Sequence, residues 1–426
     1  MKKHLLNVIV ACFVLLTVIC VCVSCNDPPL TDDTVYPPEF MSTPDLTYLC
    51  QDDSVLSTYN GKTASDFAEV YNYYKSLGYE VYSESEKNGS KFATLTDGAN
   101  MAHLYYLADR GELNIVSSDK AGSTLPPKTP QTVTGDNEVT VTQMQDRIHV
   151  NGMCYVVRLV DGSYIVYDGS YADRAQKLFQ FLKITAGDED IVIRAWVLTH
   201  SHEDHYPVFT EFANRYSTRV TLEYVIVAPV DPEEAVATGG DNYFNDSLAG
   251  DIAKFKGAKT VYAHTGMEFT FCNLNMEILL SPDDLYKNAT HDNNFNNSSI
   301  VSRIYGDGYS FLVTADTASA GSRWLSSVYG DYLESDMCQV SHHGVEDVPV
   351  TFYDIVKAPI LFYPCNQYLY DLDSRFDDVR AALRDREYTK EILIAELDRF
   401  TRAWGTVFDP DAPLSMPKYE STIVEE

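Results

Sequence analysis

The sequence predicts an α/β (α+β) chain in two parts: a small α+β unit, then a large region of sheets covered by helices. Three observations predict it. From Glu138 onward, apolar runs of strand length alternate with amphipathic helical stretches, mixing hairpins with βα units. Between Leu46 and Ser118, one helical pattern precedes short alternating strands that turn at Asn88-Gly89. The apolar run Ile191, Val192, Ile193, Trp196, Val197, Leu198 ends at Thr199 and opens into His200, His202, Asp204 and His205, an H-x-H-x-D-H loop. A chain of 426 residues, 45% hydrophobic and 12% aromatic, can bury one large core and a small one, which excludes a mainly disordered chain.

Residues 1–24 read as an export signal, with Lys2, Lys3 and His4 ahead of an apolar run from Leu5 to Val23. Cys22-Val23-Ser24-Cys25 resembles the cleavage and lipidation site of bacterial lipoproteins, so lipid attachment at Cys25 is expected. An uncleaved N-terminal membrane anchor is the alternative. Either places the body outside the cytoplasm, on the outer side of the cell membrane. Residues 25–45, rich in Pro and Asp, read as an extended tether. With 32 Lys+Arg against 62 Asp+Glu the field repels phosphate backbones, which weighs against non-specific nucleic-acid binding. The expected partners are the membrane, through that lipid or anchor, and a small-molecule or cell-wall-polymer substrate. Cys50, Cys154, Cys272, Cys338 and Cys365 form an odd, scattered set unlike a disulfide framework, with a single disulfide left open. Cys154 and Cys338 sit in apolar strand runs as small buried hydrophobes.

In the unit at 46–118, Phe67, Val70, Tyr71, Tyr74 and Leu77 recur at helical spacing up to Gly78. Strands are expected at 79–85, 90–96, 101–108 and 112–116. His103 lies in one of them with no partner near it in sequence and reads as structural. The unit shows no catalytic constellation, so it shapes a cleft, contacts a partner or simply packs. Residues 119–137, with Pro126, Pro127 and Pro130, read as the linker to a domain at 138–426.

In that domain the pattern predicts a hairpin of strands 149–159 and 164–167 about Asp161-Gly162, then Asp168. A helix over 172–183 buries Ala175, Leu178, Phe179 and Leu182. After the His-rich loop come a helix at 207–216, a strand at 222–227, a helix at 245–256, and strands at 260–263, 268–271 and 276–280. Strands at 299–305 and 309–314 flank Asp307-Gly308, and mixed helix and strand signals run through 380–397. Alternate residues of an extended segment point the same way, so His200 and His202 can grip one divalent ion, while Asp204 and His205 are offset toward a second. Imidazole with carboxylate is a zinc ligand set, with manganese and iron as competitors.

Four motifs in order, each after an expected strand, resemble the metallo-β-lactamase superfamily: Asp168, the H-x-H-x-D-H loop, Asp316 after Phe311-Leu312-Val313-Thr314, and Ser341-His342-His343-Gly344. The resemblance spans roughly residues 138–410. It implies a four-layer αββα sandwich with two metal ions at one edge of its sheets. His200 and His202 would hold the first ion, Asp204 and His205 the second. Asp316 would bridge them, and His343 or His342 would complete the second set. Asp168 would orient a ligand, and Asp204 or Asp168 would orient the nucleophile or shuttle its proton. Asn296 to Val301, F-L-V-T-A-D and S-H-H-G are similar to the hydrolase domain of bacterial DNA-uptake (competence) channel proteins, with Ala315 where that group has Gly. The third-motif histidine of the typical enzymes has no clear counterpart; His291, His264 and Asn297 are the candidates, with His264 read as a surface residue. The implied activity is metal-dependent hydrolysis by a metal-bound hydroxide, the water's pKa being lowered to about 7. A phosphodiester or related ester is the expected substrate. The alternatives are a thioester or lactone, or a non-catalytic, metal-containing surface binding lipoprotein.

Overall fold

Period-two alternation sorts the side chains of each strand between two cores, and this sets the layers of the molecule. The computed structural model describes residues 37–38, 41–127, 135–144, 146–287, 294–345, 348–372, 377–396, 399–409 and 411–417. The expected signal segment 1–24, Cys25, most of the tether, part of the linker and His291 lie outside the described residues. No helix among the described residues is long and apolar enough to cross a membrane.

The first sheet is antiparallel and holds β1 (Leu46–Leu49), β2 (Val55–Tyr59), β3 (Glu80–Lys87), β4 (Ser90–Thr96), β5 (Met101–Leu107) and β6 (Glu112–Ser118), in the order β1-β2-β6-β5-β4-β3. One helix, α1 (Ala64–Ser76), opens on Thr63, whose backbone N–H is accepted by Asp66 Oδ2 at 2.8 Å. It buries Phe67, Val70 and Tyr74 against one face of the sheet, with Leu95, Leu104 and Ile115. Leu77, expected on that stripe, falls just past the helix end and is exposed. The other face, with Leu56, Phe92, Met101, Tyr105 and Val116, joins the main core of the molecule. The first sheet is thus buried on both sides, one of them against the larger region.

The second sheet contains β7 (Thr140–Gln143), β8 (Cys154–Arg158), β9 (Tyr164–Asp168), β10 (Val192–Val197), β11 (Thr221–Val227) and β12 (Lys259–Tyr262). The third contains β13 (Glu268–Phe271), β14 (Leu274–Leu280), β15 (Val301–Gly306), β16 (Tyr309–Val313), β17 (Met337–Gln339), β18 (Ile360–Tyr363) and β19 (Glu391–Ile394). β20 (Phe400–Ala403) returns to pair with β7. Tyr155, Val157, Ile165, Tyr167, Ala195 and Val197 point between the two sheets, where the Tyr155 ring stands 5.5 Å from Phe311 and 5.7 Å from Phe362. Their neighbours Cys154, Val156, Tyr164, Val166 and Trp196 face outward under α2 (Ala175–Ala186) and α3 (Pro207–Tyr216). The helices Ser319–Tyr329 and Val350–Val356 bury Trp324, Leu325, Phe352 and Val356 against the main core. The result is a sandwich of two sheets with helices outside.

Two expected elements differ. The strand at 149–159 shortens to β8, because Asp146 Oδ1 accepts the backbone N–H groups of Ile148 and His149 and folds that stretch into a turn. The helix at 245–256 breaks into Tyr243–Asp246 and Leu248–Ile252 around Ser247. Ser, Asp and Gly favour turns there, and Asp251 Oδ2 fixes the second piece by accepting Tyr243 Oη and Thr210 Oγ1. β1 and β2 were not anticipated. The cysteines of the described residues are all free.

Candidate metal centre

β9 runs parallel to β10 and β16 runs parallel to β17, and the C-terminal ends of these four strands supply the loops of one edge. The backbone at the ends of β9, β16 and β17 is sharply turned: Asp168, Ala315, His342 and His343 have φ of 49°, 49°, 46° and 56°. Left-handed non-glycine residues cost of order 1–3 kcal/mol each and persist where surrounding structure fixes them. Here the fixing groups are visible. Asp168 accepts Thr199 N at 2.8 Å and Thr199 Oγ1 at 2.7 Å, and Trp196 Nε1 donates to its carbonyl at 2.9 Å. Its Oδ2 also lies 2.7 Å from His205 Nδ1, which leaves Nε2 of that ring for the site. His343 is turned the same way, its Nδ1 lying 2.6 Å from the Pro364 carbonyl. Holding one ring nitrogen by an acceptor is how metal-binding histidines are aimed.

Asp204, His205, Asp316 and His343 each bring a ligand atom within 4.8 Å of the others, and His200, His202 and Asp316 do likewise. His343 Nε2 is 2.9 Å from Asp204 Oδ2 and 3.3 Å from Asp316 Oδ2; His205 Nε2 is 3.1 Å from Asp316 Oδ2. His200 Nε2 lies 3.1 Å from His202 Nδ1 and 3.9 Å from Asp316 Oδ2. Ligands about 2.0–2.1 Å from a tetrahedral zinc ion stand about 3.3–3.4 Å apart, so the spacing fits. The polar atoms agree: His205 Nε2, His343 Nε2 and Asp316 Oδ1 are buried without a hydrogen-bond partner, which an ion would supply.

The charges follow from this crowding. Burial, with His205 and His202 nearby, holds His200 well below its ordinary value, so it is a neutral donor. Burial opposes charge on His205 too, but Asp316, Asp204 and Asp168 outweigh it and hold the ring well above its ordinary value. His343, likewise against burial, is pushed up to about 10 by Asp316 and Asp204. Against the same desolvation, His205 and His343 hold Asp204 and Asp316 well below the usual carboxylate range.

The structure brings together His200, His202, Asp204, His205, Asp316 and His343. It places the other candidates elsewhere. His342 turns away from the cluster, its Nε2 3.0 Å from Asn296 Nδ2. Asn297 is fully buried with its side-chain Oδ1 accepting the Ala318 and Gly321 N–H groups at 3.2 and 3.4 Å, at the start of the helix Ser319–Tyr329. Asp168 is closed to solvent and spends both oxygens on Thr199 and His205, so it positions a histidine and cannot touch a substrate. His264 is no surface residue: it is 3% exposed, pairs through Nδ1 with Asp283 Oδ2 at 2.8 Å, and belongs to a different cluster. In place of a third histidine beside His202 stands Phe295, its ring centroid 5.0 Å away. Sequence reasoning missed Thr199, the Pro364 carbonyl, and Asn151, whose Nδ2 donates to Asp204 Oδ2 and whose Oδ1 accepts Tyr171 Oη. None of these has a motif; only Thr199 adjoins one.

The family model of the metallo-beta-lactamase superfamily matches residues 148–261, the stretch that carries Asp168 and the loop from His200 to His205. No curated protein matches the chain. Among solved structures, the metallo-beta-lactamase fold protein YhfI from Bacillus subtilis is similar at 11% identity over 63% of this chain and 100% of its own, with a TM-score of 0.40. Zn(2+)-bound PqqB from Methylobacterium extorquens is 11% identical over 62% and 99%, TM-score 0.37. CmlA, a diiron beta-hydroxylase from Streptomyces venezuelae, is 14% identical over 62% and 46%, TM-score 0.32. Residues 148–261 thus match the metallo-beta-lactamase superfamily, and the two-sheet sandwich they belong to is consistent with that fold.

Proposed function

We propose that this protein is a metal-dependent hydrolase of esters, with phosphodiesters the favoured class. One observation carries the reading: Asp316 Oδ2 is within 3.9 Å of His200 on one side and 3.1 and 3.3 Å of His205 and His343 on the other, the position of a carboxylate shared by two ions. When bound, two divalent ions supply Lewis acidity, lower the pKa of a coordinated water to about 7 and clamp both oxygens of an in-line displacement. Imidazole and carboxylate donors favour zinc, with manganese or iron as alternatives. Asp204 is the group to orient the attacking water, because its side chain is 13% exposed while those of Asp168 and Asp316 are 0% and 2%. Held well below the usual carboxylate range, it is too weak a base to store the proton and serves to aim it.

A second reading has its own observation. Among the described residues the ligand group of His200 and His202 has Asp316 as its one further member, and the Phe295 ring stands 5.0 Å from His202. A weak first pocket favours a thioester or lactone hydrolase working with one ion, or a metal-containing surface binding protein. Export, lipid attachment at Cys25 and closeness to the DNA-uptake hydrolase domains belong to the same proposal. They would bring the site to wall-polymer phosphodiesters, phosphocholine-type esters or scavenged nucleotides. Labelled lipid that enters wild type but not Cys25→Ser checks the anchor.

The deciding experiment measures metal content and hydrolysis of an aryl phosphodiester, a thioester and a lactone by wild type, His202→Ala and Asp204→Ala. Phosphodiester turnover lost in both variants supports the proposal. Turnover of thioester or lactone that survives His202→Ala selects the one-ion enzyme. Bound metal with no turnover of any substrate selects the binding protein, and a chain that binds no metal overturns all three.

A further inference from the structure

A second group of metal-ligating side chains lies away from the sheet edge. Cys50 and Asp52 sit in the tight turn between β1 and β2, where Cys50 N donates to the Ser54 carbonyl at 2.9 Å. His264 follows β12 and Asp283 follows β14, so the four residues come from both sides of the contact between the first sheet and the sandwich. Cys50, His264 and Asp283 each bring a ligand atom within 4.8 Å of the others. All four residues are buried, at 5%, 5%, 3% and 6% exposure in chain order.

We propose that Cys50 and His264, with the carboxylates of Asp52 and Asp283 beside them, form a closed site for a zinc-like transition metal that staples the first sheet to the sandwich. The independent observation is His264 Nε2, which is buried without a hydrogen bond and lies 3.8 Å from Asp52 Oδ2. Asp283 Oδ2 holds the other ring nitrogen at 2.8 Å, and Ser54 N and Oγ hold Asp52 Oδ1 at 3.0 and 2.5 Å, leaving Oδ2 on the His264 side. Cys50 is a free thiol in the same closed space. A thiolate, an imidazole and carboxylates form a donor set for zinc, and structural zinc sites are sealed where catalytic ones keep an open position. The same residues in a cleft would suggest a nucleophile with its base and orienting acid, but a nucleophile needs substrate access that this burial denies. The inference does not depend on what the sheet edge does.

The test is cobalt(II) binding to the metal-free full chain, followed by absorbance and metal analysis. Among the described residues no cysteine but Cys50 belongs to a group of metal-ligating side chains, so a thiolate-to-cobalt charge-transfer band in the near ultraviolet that Cys50→Ser removes reports this site. We expect the band in wild type and in His202→Ala, its loss in Cys50→Ser, and one ion fewer per chain in that variant. Cobalt bound by wild type without the band overturns the proposal, and so does an unchanged ion count in Cys50→Ser. The wild-type spectrum decides the matter even if Cys50→Ser fails to fold.

Discussion

The sheet edge and the seam beneath the first sheet both bury charge, and they do it in opposite ways. At the seam, Lys87 Nζ lies 2.6 Å from Glu268 and 2.8 Å from Glu277, and Glu277 also accepts Arg303 Nε at 2.7 Å. Lys287 Nζ reaches Glu112 at 2.8 Å and Asp284 at 3.0 Å. Donors there meet acceptors, so each cation is matched within the protein. At the edge, ring nitrogens and carboxylate oxygens crowd together at similar distances while several make no hydrogen bond. Burial of charge is therefore not the mark of a site. Convergence of lone pairs is, and by that mark His264 and its neighbours belong with the edge although they sit in the seam.

The sharpest break of this contrast is Glu277→Gln, which takes the carboxylate from Arg303 in a closed space and leaves Lys87 with Glu268 alone. Unpairing a buried ion costs about 3–5 kcal/mol, and a urea titration should show that loss. Lys87 and Arg303 outweigh burial to hold Glu277 below its free value of 4.5. Its contribution is therefore fully present above that pH and lost as pH falls through the lower folded value. A neutral Glu277→Gln would mean that the seam's pairing does not stabilise the fold.

At the edge the corresponding quantity is proton release. His343, pushed up to about 10, and His205, held higher than usual, carry protons at neutral pH without an ion, and an ion binds only their neutral forms. Binding should then release about two protons, and affinity should rise up to about 100-fold per pH unit until His343 deprotonates. Calorimetry in buffers of different ionisation enthalpy reads the number directly; no release would remove the edge from its class. Next in size, Asp168→Asn frees the His205 ring and should weaken metal binding about 10–100-fold with the fold intact, as measured by chelator competition. The smallest effect is expected for Ala315→Gly, which relieves a left-handed alanine at the price of a looser unfolded chain. A gain of about 0–1 kcal/mol in thermal unfolding is expected.

What could be read in advance follows from how local each feature is. His200, His202, Asp204 and His205 were legible because strand alternation and a following helix start are properties of neighbouring residues. Asp316 and the His342-His343 pair were legible because each follows an apolar strand in the order the resemblance implies, whereas which histidine of the pair joins the cluster was not. Asn151 was not, because it meets Asp204 across 53 positions with no pattern joining them. His264 was misjudged for the same reason: its Thr-Gly neighbours look like an exposed strand end, and only the first sheet, through His103 lying 2.8 Å from the Thr265 carbonyl, covers it. Leu77 fitted the helical period but fell one residue past the last turn.

Asp204 and His205 hang from the sheet containing β10, whereas Asp316 and His343 hang from the one containing β16 and β17. An ion held among them would lace the two sheets together at their open edge, making occupancy and unfolding a single equilibrium. With free ion at a hundred times its dissociation constant, that lacing amounts to about 2.7 kcal/mol. Losing the edge ion alone, as in Asp204→Ala, should first loosen the amides at the ends of β10 and β16 and leave the first sheet as protected as before.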